Sequence, residues 1–360
     1  MTDAPAAGPT FVTSDKVILG GGAVLTLLAG LADYGHWNAV VAFVVSAAAV
    51  CLLASLVGRS VEQLGDRFGA GATGVLQSAL GNLPELFICI FSLQAGLVAV
   101  VQAALVGSIL ANLLLVLGLA FVVGGLKHGT QQLGSDRART ILVLMLLSVS
   151  AWALPSFTHW LHTPADAHEV TFSIIVSVLL IGLFAASLPF SLRRDSGDHD
   201  SAPHEQPRWP LPLAVSLLAV AGIAAAFVSD WFVNALQPAM DSLNINETFA
   251  GLVVVAIAGN AIENVVGVQL AAKDQAPYAF SVILNSPVQI ALVLAPVLVL
   301  VSQIFGLGSL TLVLSPMLVV VLMLAVVLAA FIAVDGESNW LEGASLVVLY
   351  VIVATSFWWG

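Results

Sequence analysis

The stretch ALGNLPELFICIF, residues 79–91, decides how this chain is read. It lies inside an apolar run long enough to cross a bilayer, yet carries Gly81, Asn82, Pro84 and a carboxylate, Glu85, near its middle. An ionisable side chain at that depth costs roughly 3 kcal/mol even on lenient insertion scales, so it marks a functional site by default.

Working outward, the same pattern recurs in AIAGNAIENVVGV, residues 256–268. Both stretches read Gly-Asn-x-x-Glu: Gly81, Asn82 and Glu85, then Gly259, Asn260 and Glu263, at a constant offset of 178 residues. Ser108 and Ser286 each follow their glutamate by 23 residues, within the next apolar run (GSILANLLLVLG against NSPVQIALVLAP). The three-residue spacing predicts that each Asn–Glu pair shares a helix face, on a polar stripe that includes Ser78, Cys89 and Ser92 in the first copy. Pro84 is expected to remove a backbone donor and free the carbonyl of Leu80. The glycines permit close backbone approach or unwinding. Two carboxylates with amide and carbonyl oxygens make a hard, all-oxygen site, which suits calcium better than zinc or copper. The candidate cation- and proton-binding set is therefore Glu85, Glu263, Asn82, Asn260, Gly81 and Gly259, the glutamates being the metal ligands. Ser108, Ser286, Gln102, Gln289, Asn112 and Asn264 are supporting polar residues. The plainer alternatives are a protonated, hydrogen-bonded glutamate and serines or asparagines that only join helices.

The whole chain fits a membrane setting. It is 59% hydrophobic and 9% charged, with mean hydropathy +1.04, which predicts an all-α polytopic membrane protein with the lipid bilayer as its surroundings. Apolar runs lie near 17–33, 37–58, 71–95, 99–125, 138–155, 169–192, 210–236, 247–272, 276–303, 309–333 and 340–359, predicting eleven transmembrane helices. The expected organisation is a cytoplasmic tail at 1–16, an extra first helix at 17–36, a five-helix repeat at 37–192, a polar linker at 193–209 and a second five-helix repeat at 210–360. With that count, all ten Lys and Arg residues fall on the side of the N-terminus. The expected orientation is N-terminus inside and C-terminus outside, in a prokaryotic cytoplasmic membrane. The two glutamate helices then run in opposite directions, the pattern of inverted repeats whose site lies at the midplane. Net charge −11 and the lack of a basic patch argue against nucleic acid. Cys51 and Cys89 fall in apolar runs and indicate no disulfide framework. The polar N-terminus has no basic leader region, so no cleaved signal peptide is expected.

These residues resemble the calcium/cation antiporter superfamily, and within it the cation/proton exchangers. The resemblance covers nearly all of the chain after the first run. It rests on SVEQLGDRFGAGATGVLQSALGNLPELFICIFSLQAG, VVQAALVGSILANLLLVLGLAFVVGG, LNINETFAGLVVVAIAGNAIENVVGVQLAAKDQ and DGESNWLEGASLVVLYVIVA. It implies calcium export driven by inward proton movement, with Glu85 and Glu263 as shared ligands and no cofactor. The departures are Pro84, where the family usually has a small or hydroxyl residue, and Asn264, where proton exchangers typically have histidine. Asn285 and Pro287 also replace the usual glycine and hydroxyl residue. Sodium-coupled relatives typically carry an acidic residue at the position of Pro287, so its absence favours protons.

The remaining candidates are weaker. The loop THWLHTPADAHEV holds His159, His162, Asp166, His168 and Glu169, which could capture a metal. Its spacing matches no recognised ligand motif, and a solvated loop is the default. Asp195, Asp198, His199, Asp200, His204 and Glu205 in the central linker could form a calcium sensor, although Ser, Gly and Pro there favour a flexible connection. Glu62 and Glu247 stand at span entrances, as cation attractors or ordinary surface charge. A membrane-embedded enzyme is disfavoured, because HEVTF and HEQPR both miss the HExxH pattern. The main rival is an exchanger of the same architecture that uses sodium or moves manganese, sodium or potassium.

Overall fold

Every backbone amide and carbonyl in hydrocarbon needs a partner, and a helix supplies one within its own segment. The chain follows that requirement almost throughout. The computed structural model describes residues 10–68, 76, 80–133, 135–195, 207–334 and 336–359. Side chains are described at all of these except 66, 68, 135–139, 189–195, 261–264 and 333–334. In chain order the helices are α1 (Thr13–Tyr34), α2 (Ala39–Phe68), α3 (Leu83–Gln94), α4 (Val98–Leu110), α5 (Leu117–His128), α6 (Ser135–Trp160), α7 (Glu169–Asp195) and α8 (Leu211–Leu243). They continue as α9 (Glu247–Phe249), α10 (Ala256–Gly259), α11 (Ala261–Ala272), α12 (Ala276–Gln289), α13 (Ala295–Phe305), α14 (Pro316–Val334) and α15 (Trp340–Trp358). π-helical turns at Ala111–Val116, Ala250–Val255 and Ile290–Leu294 join α4 to α5, α9 to α10 and α12 to α13. Two-residue strands β1 (Gln131–Gln132) and β2 (Glu337–Ser338) pair antiparallel, Gln131 opposite Ser338.

Among the described residues, eight helical segments are long and apolar enough to cross a membrane, and Leu83–Gln94, Glu247–Gly259 and Pro316–Ile332 are shorter apolar helices. The chain is an all-α integral membrane protein. Exposed Val220, Ile223 and Phe227 on α8 are what such a surface presents to lipid.

The chain divides into two compact units, Met1–Ile88 with Ala186–Ser242, and Cys89–Ala185 with Leu243–Gly360. In the first, Val57, Val61 and Leu64 of α2 pack with Trp209, Ala214 and Ala221. The Gln63 side-chain Oε1 accepts from the backbone N–H groups of Arg208 (2.7 Å) and Trp209 (3.0 Å), tying the end of the polar linker to α2. Asp15, almost fully buried, stands 3.6 Å from the Arg59 guanidinium. Most acidic residues of the linker lie outside the described residues, as does Ser78.

In the second unit, α4 crosses the Ala250–Val255 turn at backbone contact. A Cβ on Gly107 would stand 2.1 Å from the Leu252 carbonyl oxygen, and one on Gly251 would stand 2.4 Å from that of Val100. Only hydrogen fits at either place, and this crossing sets Ser108 beside the helix break at Asn260.

The apolar run at 309–333 is helical only from Pro316, and residues 308–315 are non-helical. Pro316 disfavours helical backbone in the residue before it, and Gly306 and Gly308 adopt positive φ (66° and 73°). Side chains supply the hydrogen bonds that a helix would have made. Gln102 Nε2 donates to the carbonyls of Thr311 (3.2 Å) and Val313 (2.9 Å). Ser156 Oγ donates to Leu312 O (3.1 Å) and accepts from Leu314 N (2.9 Å), while Ser173 Oγ accepts from Leu312 N (3.1 Å). Leu310, Leu312 and Leu314 are buried on alternate positions. Gln102 thus belongs to this segment's support. Replacing Gln102 by Leu strips one donor from two carbonyls and is expected to cost about 1–3 kcal/mol, seen as a lower thermal unfolding midpoint in detergent.

Candidate functional site

Glu85 stands at a helix restart. Residues 80–81 close a π turn, Asn82 forms a turn, and α3 begins at Leu83. Pro84 is thus the second helical residue, where its missing N–H would have had no intrahelical partner anyway. This corrects the expectation of a mid-helix proline. It also corrects the expected shared helix face, because Asn82 precedes the helix and its carbonyl accepts from Leu86 N at 2.9 Å. Asn82 and Glu85 are both buried, each 8% exposed. Glu85 lies in the first turn, where unpaired N–H groups and the positive end of the helix dipole favour a carboxylate.

The second copy has the same local form. α10 ends at Gly259, Asn260 takes φ −100° and ψ 20°, and α11 begins at Ala261. Glu263 is the third residue of α11, as Glu85 is of α3. The side chains of Glu263 and Asn264 lie outside those described. The correspondence extends along the chain. α3 and α11 each have 12 residues and start 178 positions apart. α4 and α12 start at the same offset, and so do α5 and α13, with a π turn between α4 and α5 and another between α12 and α13.

The second unit brings four of the expected polar residues together. Asn260 Oδ1 accepts from Asn112 Nδ2 (3.0 Å) and Ser286 Oγ (3.3 Å). Asn260 Nδ2 donates to Ser108 Oγ (2.8 Å) and to the Ala256 carbonyl (2.9 Å). Asn112 Nδ2 also donates to Ser108 O at 2.9 Å. Relative exposures of 1% for Asn260, 0% for Asn112 and 5% for each serine show that the cluster is buried. With its oxygen receiving two donors and its nitrogen serving two acceptors, the Asn260 amide has one orientation, and it holds the α10–α11 break against α4 and α12. Asn112 Oδ1 accepts no hydrogen bond among the described residues. Gln289, the last residue of α12, is half-buried and makes none of these contacts. The pairing of Ser108 with Ser286 was legible in their common spacing from the glutamates. Asn112 was named with them as a supporting polar residue, although the second copy has Ile290 at the matching position.

These breaks define a class, the polytopic helical membrane protein built on discontinuous helices. The comparisons with known proteins then fix the family. A sequence model described as Sodium/calcium exchanger protein matches residues 38–193 and 213–359. The Ca(2+)/H(+) antiporter ChaA of Bacillus subtilis (strain 168) is 35% identical over 349 residues, covering 95% of this chain and 97% of that protein. The Ca(2+)/H(+) antiporter of Aphanothece halophytica is 32% identical over 350 residues, covering 91% of this chain and 92% of its own length. The solved structure of native YfkE superposes with a TM-score of 0.83 at 33% identity, covering 96% of this chain and 100% of that one. The chain belongs to the sodium/calcium exchanger protein family, in the cation/proton exchanger branch of the calcium/cation antiporter superfamily.

Proposed function

We propose that this protein is a calcium:proton antiporter in which Glu85 and Glu263 supply the carboxylates for which calcium and protons compete. The carrying observation is the recurrence of Gly-Asn-x-x-Glu at two helix restarts, with each glutamate third in its helix. Broken helices near the membrane midplane are where transporters of this type hold ions, the restarting N-terminus favouring the carboxylate and the unwound carbonyls the cation. Relatives named as Ca(2+)/H(+) antiporters over nearly the full length support the cargo.

The chemistry follows from charge. Two ionised carboxylates balance one divalent cation, and two protons neutralise them equally. Two bare carboxylates in low dielectric are costly, so the empty protein resists reorientation and the loaded forms do not. Exchange is then obligatory, about two protons per calcium. Asn82, Asn260, Gly81 and Gly259 shape the breaks, and Ser108, Asn112 and Ser286 hold the second one. Asn112 Oδ1, which accepts no hydrogen bond among the described residues, is an oxygen available to the cargo. The eleven runs form one helix plus two inverted five-helix halves, 37–192 and 210–360, and substrate access alternates between faces. The confinement of Lys and Arg to one set of loops supports an N-terminus inside and a C-terminus outside, in a prokaryotic cytoplasmic membrane.

Purified protein in liposomes with an acidic interior and an internal pH dye tests this. Calcium added outside is expected to alkalinise the interior without a membrane current. A steady current would overturn the two-to-one stoichiometry. A response to sodium, potassium or manganese and none to calcium would overturn the assigned cargo.

A further inference from the structure

A second group of ligating side chains lies at the α6–α7 connection, in residues that the exchange reading does not use. His159 is in the last turn of α6, Asp166 lies in the 3-10 turn Pro164–His168, and Glu169 opens α7. His159 Nδ1 is 2.8 Å from Asp166 Oδ1 and 3.9 Å from Glu169 Oε2. One ligand atom from each of the three residues lies within 4.8 Å of the others. His162 Nδ1 adds a further donor 3.6 Å from Asp166 Oδ2.

We propose that His159, Asp166 and Glu169 bind a late first-row divalent cation such as zinc or cobalt. Donor atoms about 2.1 Å from a tetrahedral ion stand about 3.4 Å apart, and the two separations from His159 bracket that value. A His–Asp pair that merely fastened the turn would use one carboxylate. Here a second carboxylate faces the same nitrogen, and no Lys or Arg occurs from residue 140 to 192 to balance either acid. Glu169 is also oriented from behind. Thr311 Oγ1 donates to its Oε1 at 2.6 Å, which leaves Oε2 for the ion. Thr311 in turn sits in the non-helical segment that Gln102, Ser156 and Ser173 hold in place. Such an outer partner fixes a ligand's direction and its basicity.

The donor set selects the ion. An imidazole nitrogen with two carboxylates suits zinc, cobalt or nickel, whereas calcium takes six to eight oxygens. The side chains of His159, Asp166 and Glu169 are 45%, 29% and 32% exposed, so an ion enters from water. Once bound, it links the end of α6 to the start of α7 and, through Thr311, to residues 310–314.

Cobalt(II) titration of the untagged full chain in detergent, in millimolar calcium, tests the site through the visible absorption of low-coordinate cobalt. One cobalt per chain is expected, undisturbed by calcium and lost in both His159→Ala and Asp166→Asn. Thr311→Val, which removes only the outer partner, is expected to weaken binding by about 10- to 100-fold. Each variant is scored only if its metal-free thermal unfolding matches the wild type, and the two ligand variants serve as substitutes for each other. Failure to bind cobalt, an unchanged spectrum in a folded ligand variant, or displacement by calcium at equal concentration overturns the proposal.

Discussion

Glu85→Gln is expected to reduce calcium-dependent proton flux in liposomes by at least about 100-fold, and Glu263→Gln to do the same. Glutamine keeps the size and hydrogen-bonding reach of the side chain but cannot carry the charge that balances the cation, nor release the proton that replaces it. Removing one partner from a buried charged set costs about 3–5 kcal/mol, which is roughly 100- to 4,000-fold in an equilibrium constant. The substitution also separates two readings. A glutamate that is permanently protonated and serves only to join helices would be mimicked by glutamine, and flux would survive. The measurement is the initial rate of vesicle alkalinisation, with thermal unfolding confirming that each variant folds. Flux within about tenfold of wild type in either variant removes that glutamate from the mechanism.

The largest structural effect is expected at Gly107. In Gly107→Val, the new Cβ would fall 2.1 Å from the Leu252 carbonyl oxygen and 2.5 Å from its Cα. Both are backbone atoms of a packed turn, so no rotamer change relieves the overlap, and separating the segments pulls Ser108 from Asn260. The expected cost exceeds about 3 kcal/mol, above the usual range for an overpacked core. Chromatography in detergent should show loss of the monodisperse peak, or a sharply lowered unfolding midpoint. Gly20→Ala is the control, because a Cβ there meets nothing within 4 Å. It should be neutral or slightly stabilising, since alanine favours helix by about 1 kcal/mol. A Gly107→Val protein as stable as wild type would mean that the two segments do not touch in the membrane.

Different levels of the structure were legible for different reasons. The helical class followed from hydropathy, because a membrane leaves the backbone few choices. The importance of residues 81–85 and 259–263 followed from the cost of a carboxylate in an apolar run. The helix restart was harder to see. Gly81, Asn82 and Pro84 each hint at a break, but three-residue spacing also fits an unbroken helix, and that reading put Asn82 on the wrong side of the boundary. Gln102 is an internal polar residue close in sequence to Ser108, and only its partners, more than two hundred residues away, show that it supports residues 311–313. The non-helical course of residues 308–315 was hidden for the same reason. Its composition is that of a transmembrane helix, and its conformation depends on serines in α6 and α7. The π turns at 111–116 and 290–294 have no sequence signal that periodicity would detect.

That borrowed hydrogen bonding has a consequence for how the protein is made. A transmembrane helix can leave the translocation machinery alone, because its backbone is already satisfied. Residues 310–314 cannot, since their amides and carbonyls are met by side chains of other helices rather than by one another. They can settle only after α4, α6 and α7, all synthesised earlier, have presented Gln102, Ser156 and Ser173. The segment is therefore expected to settle late in assembly, its course set by three helices made before it.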